Sequence, residues 1–425
     1  MLMWDKGEIS LVTIKPFRAI RPVQERAKEV AALPYDVLNS NEAREIVKDN
    51  PYSFLHIDKA EIDLNPSISP YDNAVYEKAK RNLQHMVETG VLIQEEKACF
   101  YIYELTMNGR SQTGLVVCTS IDEYMNDTIK KHERTRAEKE KDRIRHVDVC
   151  NAHTGPIFVT YRGKHEIANV IANWKATHSP VYEFTADNAI RHKAWIIHEE
   201  RVIATLIEQF EEIPSLYIAD GHHRSASAVK VGMMRREAYS NYTGDEEFNY
   251  FLSVLFPKDE LSIWDYNRIV RDINGLSEEQ FLQEISQAFY VEKAKVAPYK
   301  PEERHTFGMY LNKVWYKLTA KANMFDAYDV VKRLDVSILQ EQLLHAILNI
   351  DDPRTNDRID FVGGIRGLKE LERMVDEEGW TVAFSMYPTT MEDLLDIADA
   401  GEVMPPKSTW FEPKLRSGLF IHSLE

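Results

Sequence analysis

The sequence is short of most features that would place it in a specialised class. Cysteine is scarce: Cys99, Cys118 and Cys150 are the three present, an odd number with no CxxC spacing. That argues against a disulfide framework and against a zinc ribbon, and it leaves buried free thiols in a reducing cytoplasm as the expectation. Apolar runs stay far below the roughly 18 to 20 residues of a membrane span. Met1 to Lys6 carries Trp4 and Asp5 and lacks the basic-then-apolar order of a secretion signal, so the expected location is the cytoplasm. Gly and Pro number 17 each, too few in 425 residues for a collagen-like or low-complexity chain. Positive charge is in deficit, with Lys plus Arg at 52 against Asp plus Glu at 68, a net of −16. An acidic chain repels a phosphate backbone, which argues against nucleic acid as a bulk partner. The Walker, GxGxxG, GxSxG, HExxH and EF-hand patterns are missing too.

What is present is an alternation of helical and extended patterns, the mark of a mixed α/β (α+β) fold. Leu11 to Pro16 reads as a strand and Leu33 to Val37 as extended, because proline restricts its neighbour. Glu42 to Lys48 reads as a helix capped by Ser40 or Asn41. Val75, Ala79, Leu83, Met86 and Val87 recur at helical spacing before Gly90. Asn108-Gly109 predicts a tight hairpin between two β-rich runs, Cys99 to Met107 and Gln112 to Thr119. Strands are expected at Ile157 to Tyr161 and Leu216 to Ala219, and a helix from about Ser225. Farther on, Ser277 and Gln280 have capping-box spacing, and Ser337 to Leu348 reads as helical. The expected organisation is an N-terminal α/β region over 1–120, a motif-bearing core over 121–260 and a C-terminal α+β region over 261–425.

The most informative run is Ala219-Asp220-Gly221-His222-His223-Arg224. An apolar strand ends in an acid, a glycine allows a tight turn, and a helix follows within a few residues. Free N–H groups, a helix dipole, two imidazoles and a guanidinium would converge there, an arrangement suited to phosphate. The small residues Ser225, Ala226, Ser227 and Ala228 would let a ligand approach. A plain strand-to-helix corner with Asp220 paired to Arg224 is the alternative. Adjacent His222 and His223 have poor spacing for chelating one ion, so no metal ligand is expected. Between Lys130 and Arg145 eight Lys or Arg face four Asp or Glu, a net of +4 that leaves −20 for the rest. This basic island, opening with His132-Glu133-Arg134-Thr135, fits a polyanion site or a solvated helix with i,i+4 pairs. Pro405-Pro406-Lys407-Ser408-Thr409 offers donors in succession on a stiff segment, either an anion contact or a surface strap. Gly363-Gly364-Ile365-Arg366-Gly367 reads as a tight turn between strand and helix. Asn267-Arg268 reads as part of a structural ion pair.

These runs carry a resemblance. Pro34-Tyr35-Asp36-Val37, His132-Glu133-Arg134-Thr135, Gly155-Pro156-Ile157-Phe158, Ala219 to Arg224 and Pro405 to Thr409 together resemble the domain of unknown function 1015 family over nearly the whole chain. The shorter set Ile129-x-x-His132-Glu133, Pro156-Ile157 and Asp220 to Arg224 is similar to the ParB and sulfiredoxin superfamily, most of all to the free serine kinases. The resemblance implies a nucleotide-binding core of that type set in a larger mixed-sheet fold. It implies phosphoryl transfer between a nucleotide and a small hydroxyl compound, L-serine in the kinases, with Mg²⁺ and a nucleoside di- or triphosphate as cofactors. Carried over by motif, Gly221, His222, His223 and Arg224 would hold phosphates, with Lys407, Ser408 and Thr409 as further phosphate contacts. Asp220 would lie beside the transferred group, and Glu133 would take the hydroxyl proton. His132, Arg134 and Thr135 would touch the substrate or support those that do. Unlike the kinases, this chain is much longer and carries an insertion between Pro156-Ile157 and Asp220. The reverse reaction on phosphoserine, and a non-catalytic nucleotide-binding regulator of the ParB type, are the alternatives. The expected partners are a nucleotide and a small substrate, without membrane.

Overall fold

The computed structural model describes residues 11–135, 137–239 and 241–425. They form two compact units, one of residues up to Leu261 joined by Pro413–Glu425, the other Ser262–Glu412. The regions expected over 1–120 and 121–260 both lie in the first unit. The fold is mixed α/β, and among the described residues no helix is long and apolar enough to cross a membrane.

The Asn108-Gly109 hairpin is the middle of the first unit's main sheet. Asn108 (φ +52°) and Gly109 (φ +79°) take the left-handed conformations that a two-residue turn between twisted strands requires. The flanking strands, Phe100–Met107 and Arg110–Ser120, pair from Tyr101 opposite Val116 to Met107 opposite Arg110. Their apolar runs are continuous because the strands are buried on both faces over most of their length. The sheet has nine strands. From one edge the path runs Ile129–Lys130, Leu216–Asp220, Ile157–Tyr161, Tyr250–Pro257, then the hairpin, Arg191–Ile197 and Tyr182–Thr185, with Ile14–Lys15 added on the Arg110–Ser120 strand. Most neighbours are antiparallel. Ile129–Lys130 runs parallel to Leu216–Asp220, and Tyr250–Pro257 parallel to Ile157–Tyr161. One consequence matters for chemistry: the loop after Lys130 and the turn after Asp220 leave from the same ends of adjacent parallel strands.

A second apolar cluster in this unit gathers Phe54, Leu55 and Ile57 against Val75, Ala79, Leu83 and Met86 of the Asn73–Glu88 helix. The Ala137–Cys150 helix is not simply solvated: Glu140, Asp142, Arg143 and His146 are all buried. Tyr76 Oη donates to Asp142 (2.8 Å), and Arg143 Nε donates to the same carboxylate (2.9 Å).

In the second unit a six-stranded sheet has the order Phe289–Lys293, Val314–Ala320, Thr306–Leu311, Val382–Met386, Tyr266–Val270, Ile359–Gly363. The Ser277-x-x-Gln280 capping box forms as its spacing predicts. Gly364–Arg366 is a short 3-10 turn leading into the Leu368–Glu377 helix. Arg268 makes no use of a carboxylate; it donates to the carbonyls of Tyr266 and Lys407.

Four local expectations change. The Ser40–Val47 helix is capped by Asn39, whose side chain accepts from the Asn41 and Glu42 amides while Glu42 reaches back to the Asn39 N–H. Tyr35–Val37 is a 3-10 turn rather than extended, because proline constrains the residue before it and not those after. Asp335–Leu339 is α-helical but continues as a π-turn over Gln340–His345. The helix expected from Ser225 begins at His222, since Gly221 (φ +97°) turns the chain at once and leaves the helix without a side-chain cap.

Candidate functional site

The site is built where two adjacent strands end. Leu216–Asp220 delivers Asp220 and the Gly221 turn, and the early helix start places His222, His223 and Arg224 in the first helical turn. A first turn has N–H groups with no carbonyl of their own helix to meet, and it carries the positive end of the dipole. Ile129–Lys130 delivers His132 and Glu133 to the same end. The His132 and His222 rings meet edge to face with centroids 4.5 Å apart, and one ligand atom each of His132, Glu133 and His222 lies within 4.8 Å of the others. Residues expected separately from two segments are thus brought together.

Each group has a definite environment. The Asp220 carboxylate accepts from Lys414 Nζ at 3.0 Å. Burial opposes its ionisation, but Lys414 and Arg224 outweigh that and hold it well below the usual carboxylate range. The alternative pairing of Asp220 with Arg224 is therefore replaced by a lysine from the C-terminal segment. Arg224 Nη1 donates to the Pro156 carbonyl, and a Cβ on Gly155 would lie 3.6 Å from that nitrogen. The Gly155-Pro156 motif thus serves as a backbone rest for the guanidinium. Arg224 Nε has no hydrogen-bond partner.

His132 is buried, and burial pushes its imidazole down to about 3, with His222 adding to the effect and Glu133 opposing it. Burial likewise lowers His222 to about 4, against the opposing charge of Asp220. Both rings are neutral at pH 7. Neither nitrogen of His132 makes a well-formed hydrogen bond, nor does His222 Nε2. The Ile218 backbone is close enough to act on the charge of His132 without closing such a bond.

Of the remaining residues of the His132 to Thr135 run, Thr135 donates to Glu140 at 2.6 Å, and Arg134 is exposed. Glu140 is also paired with Lys230, and its carbonyl accepts from Ser227 (3.2 Å). Thr135 therefore fastens the loop to two helices. Tyr35 of the Pro34 to Val37 motif lies under Arg143, guanidinium 4.0 Å from the ring centroid. Pro34, Tyr35, Asp58, Arg143, Gly155 and Arg224 border a cavity of about 30 Å³, room for a water molecule.

Lys407, Ser408 and Thr409 belong to the other unit. There Lys407 has φ +60°, Ser408 Oγ donates to the Pro405 carbonyl (2.6 Å), and the Ser408 carbonyl accepts from Thr389 (2.9 Å). The three thiols are free and buried, and burial raises Cys99 to about 11, Cys150 to about 12 and Cys118 well above its ordinary value. None is a thiolate at neutral pH.

Sequence reasoning missed Lys414, 194 residues from Asp220, and the carbonyl role of Pro156. No local signal marks either one.

The chain belongs to the family described as "Protein of unknown function (DUF1015)", which matches residues 14–337. No curated protein matches it. Among solved structures it is similar to a conserved hypothetical protein from Pyrococcus furiosus, at 14% identity over 72% of this chain and 94% of that one, TM-score 0.35. It is similar to a free serine kinase in complex with AMP, at 12% identity over 72% and 92%, TM-score 0.37. SbnI with C-terminal truncation from Staphylococcus aureus follows at 11% over 71% and 85%, TM-score 0.37. Scores of this size establish no residue equivalences.

Proposed function

We propose that this chain is a phosphotransferase moving a phosphoryl group between a nucleotide and a small hydroxyl compound, with free L-serine as the leading acceptor. The observation that carries the reading is the meeting of Glu133 with the first turn of the His222–Ala238 helix, across the His132–His222 contact. A hydroxyl attacking a phosphoryl group needs positioning, neutralised charge and a nearby proton acceptor. The first-turn amides and Arg224 supply positive potential for phosphate oxygens. Glu133, half-buried and beside two neutral imidazoles, supplies the acceptor. Asp220 orients rather than accepts, because Lys414 and Arg224 lower its affinity for a proton. Mg²⁺, a hard ion that keeps oxygen ligands, would be held chiefly by the nucleotide phosphates, since Asp220 already has a cation. Its contribution is to spread phosphoryl charge.

The test is a melting-temperature panel with ADP, ATP, CTP, phosphate and phosphoserine, each with Mg²⁺. At about 100 times Kd a ligand adds roughly 2.7 kcal/mol of stability. A shift with at least one nucleotide is expected. No shift with any nucleotide at millimolar concentration overturns the reading, and a shift with phosphoserine alone favours the phosphatase direction.

A further inference from the structure

Three groups that commonly bind transition metals converge at one point, and two of them lack the partners that burial demands. His132 is 1% exposed with neither ring nitrogen in a well-formed hydrogen bond, and His222 is 7% exposed with Nε2 unpartnered. A buried donor or acceptor left without a partner costs about 1–3 kcal/mol. His146 avoids that cost by bonding the Ile57 carbonyl (3.1 Å), and His153 and His192 each leave Nε2 alone without a partner, whereas His132 leaves both nitrogens. The edge-to-face contact between the two rings satisfies no nitrogen lone pair. Glu133 completes the set, with one ligand atom from each residue inside 4.8 Å of the other two.

We infer that His132, His222 and Glu133 form a binding site for a divalent transition-metal ion of the Zn²⁺ type. Two imidazoles and a carboxylate suit Zn²⁺ or its neighbours in the series, whereas Mg²⁺ takes oxygen ligands. Ligand atoms on a four-coordinate ion with bonds of about 2.0–2.1 Å sit about 3.4 Å apart, so side-chain rotation by about an ångström closes the set. The three protein ligands leave a fourth position open, the arrangement of a reactive rather than a purely structural site. The neighbouring cations are engaged elsewhere: Lys131 with Asp127 (2.5 Å) and the Tyr124 carbonyl (2.8 Å), Lys414 with Asp220 (3.0 Å). The adjacent pair His222-His223 remains unsuited to chelation; the second imidazole comes from the other strand end. Ligation through one oxygen of Glu133 leaves the other to accept a proton, so the site is compatible with phosphoryl transfer but does not depend on it.

The experiment uses the full chain stripped by chelator and dialysed, without nucleotide, against Zn²⁺ or against Mg²⁺ at the same concentration, with metal content measured. One Zn²⁺ per chain and no stoichiometric Mg²⁺ are expected. His222→Gln and His132→Gln should each weaken Zn²⁺ binding by at least the roughly 10- to 100-fold that loss of an outer supporting partner costs. His153→Gln, at a separate buried pair, should leave it unchanged. If the buried variants melt, Glu133→Gln, at a half-buried loop position, replaces them, and the visible spectrum of wild type with Co²⁺ reports the ligands directly. Substoichiometric Zn²⁺, equal binding by wild type and the ligand variants, or a Co²⁺ spectrum of the hydrated ion overturns the inference. Because nucleotide is absent, a chain that binds Zn²⁺ but transfers no phosphoryl group keeps the metal site and loses the transferase reading.

Discussion

Two buried histidine pairs in the same unit show how packing decides what a cluster can do. His153 and His422 approach through their Nδ1 atoms at 3.1 Å, and His422 Nε2 meets Glu247 at 2.7 Å, itself paired with Lys15 at 2.9 Å. A single set of tautomers runs along that chain with both rings neutral: His153 Nδ1 donates to His422, and His422 Nε2 donates to Glu247, which leaves His153 Nε2 as the pair's one unpartnered nitrogen. Both pKa values lie below the ordinary histidine value, because burial disfavours the charged forms. The pair staples Ala152–His153 to His422–Ser423, two short strands in register. His132 and His222 are equally buried but left open, beside a carboxylate and a helix N-terminus. The first pair leaves one ring nitrogen without a partner and the second leaves three, and the proposed site rests on that difference.

Substitution can break that contrast at either end. The largest effect is expected from Glu133→Gln, which keeps shape but cannot accept a proton: turnover should fall by roughly 10² to 10⁴ while nucleotide affinity stays nearly intact. Unchanged turnover would remove Glu133 from the proposed transfer. Arg224→Ala removes a charge-assisted fork and should weaken nucleotide binding by about 1.5–3 kcal/mol, read by calorimetry. At the closed pair, His422→Ala leaves a buried imidazole and a carboxylate without their partner. It should lower unfolding stability by about 1–3 kcal/mol in denaturant titrations and leave nucleotide affinity alone. The smallest effect is on pH. His132 and His222 titrate near 3 and 4 when folded and near 6.5 when unfolded, so between those values the unfolded chain binds more protons. Their contribution is complete above pH 6.5 and is lost as pH falls toward 4, up to about 2 kcal/mol per ring by pH 5. Denaturant midpoints at pH 7 and 5 should converge by one ring's share in His222→Gln.

Much of the fold was legible because local chemistry agreed with the tertiary outcome. Asn108-Gly109 allows left-handed backbone at both turn positions, and Ser277 with Gln280 satisfies two amides without help from afar. The helix after the Gly221 turn was placed three residues late because the usual signal is a polar cap, and here a left-handed glycine makes the turn instead. That small displacement decides whether His222 and Arg224 precede the helix or form its first turn. The motif residues themselves were visible as types, acid, glycine, imidazole and guanidinium in a row. Their closure was not. The contact of His132 with His222 depends on two strands running parallel side by side, and the Asp220–Lys414 pair on the last segment returning to the first unit. Lys407, Ser408 and Thr409 read equally as an anion contact or a surface strap because donors follow one another, and the bond from the Ser408 hydroxyl to its own loop is a tertiary detail that pattern does not carry.

The most direct measurement is phosphorus NMR of the wild-type chain with Mg²⁺, a nucleotide and L-serine, beside the same mixture with Glu133→Gln. The account predicts that nucleotide signal is lost and a phosphomonoester signal appears with wild type, and that the variant, still binding nucleotide, does so at least about a hundredfold more slowly. Nucleotide unchanged by wild type across ADP, ATP and CTP, or equal rates in the two chains, would contradict it.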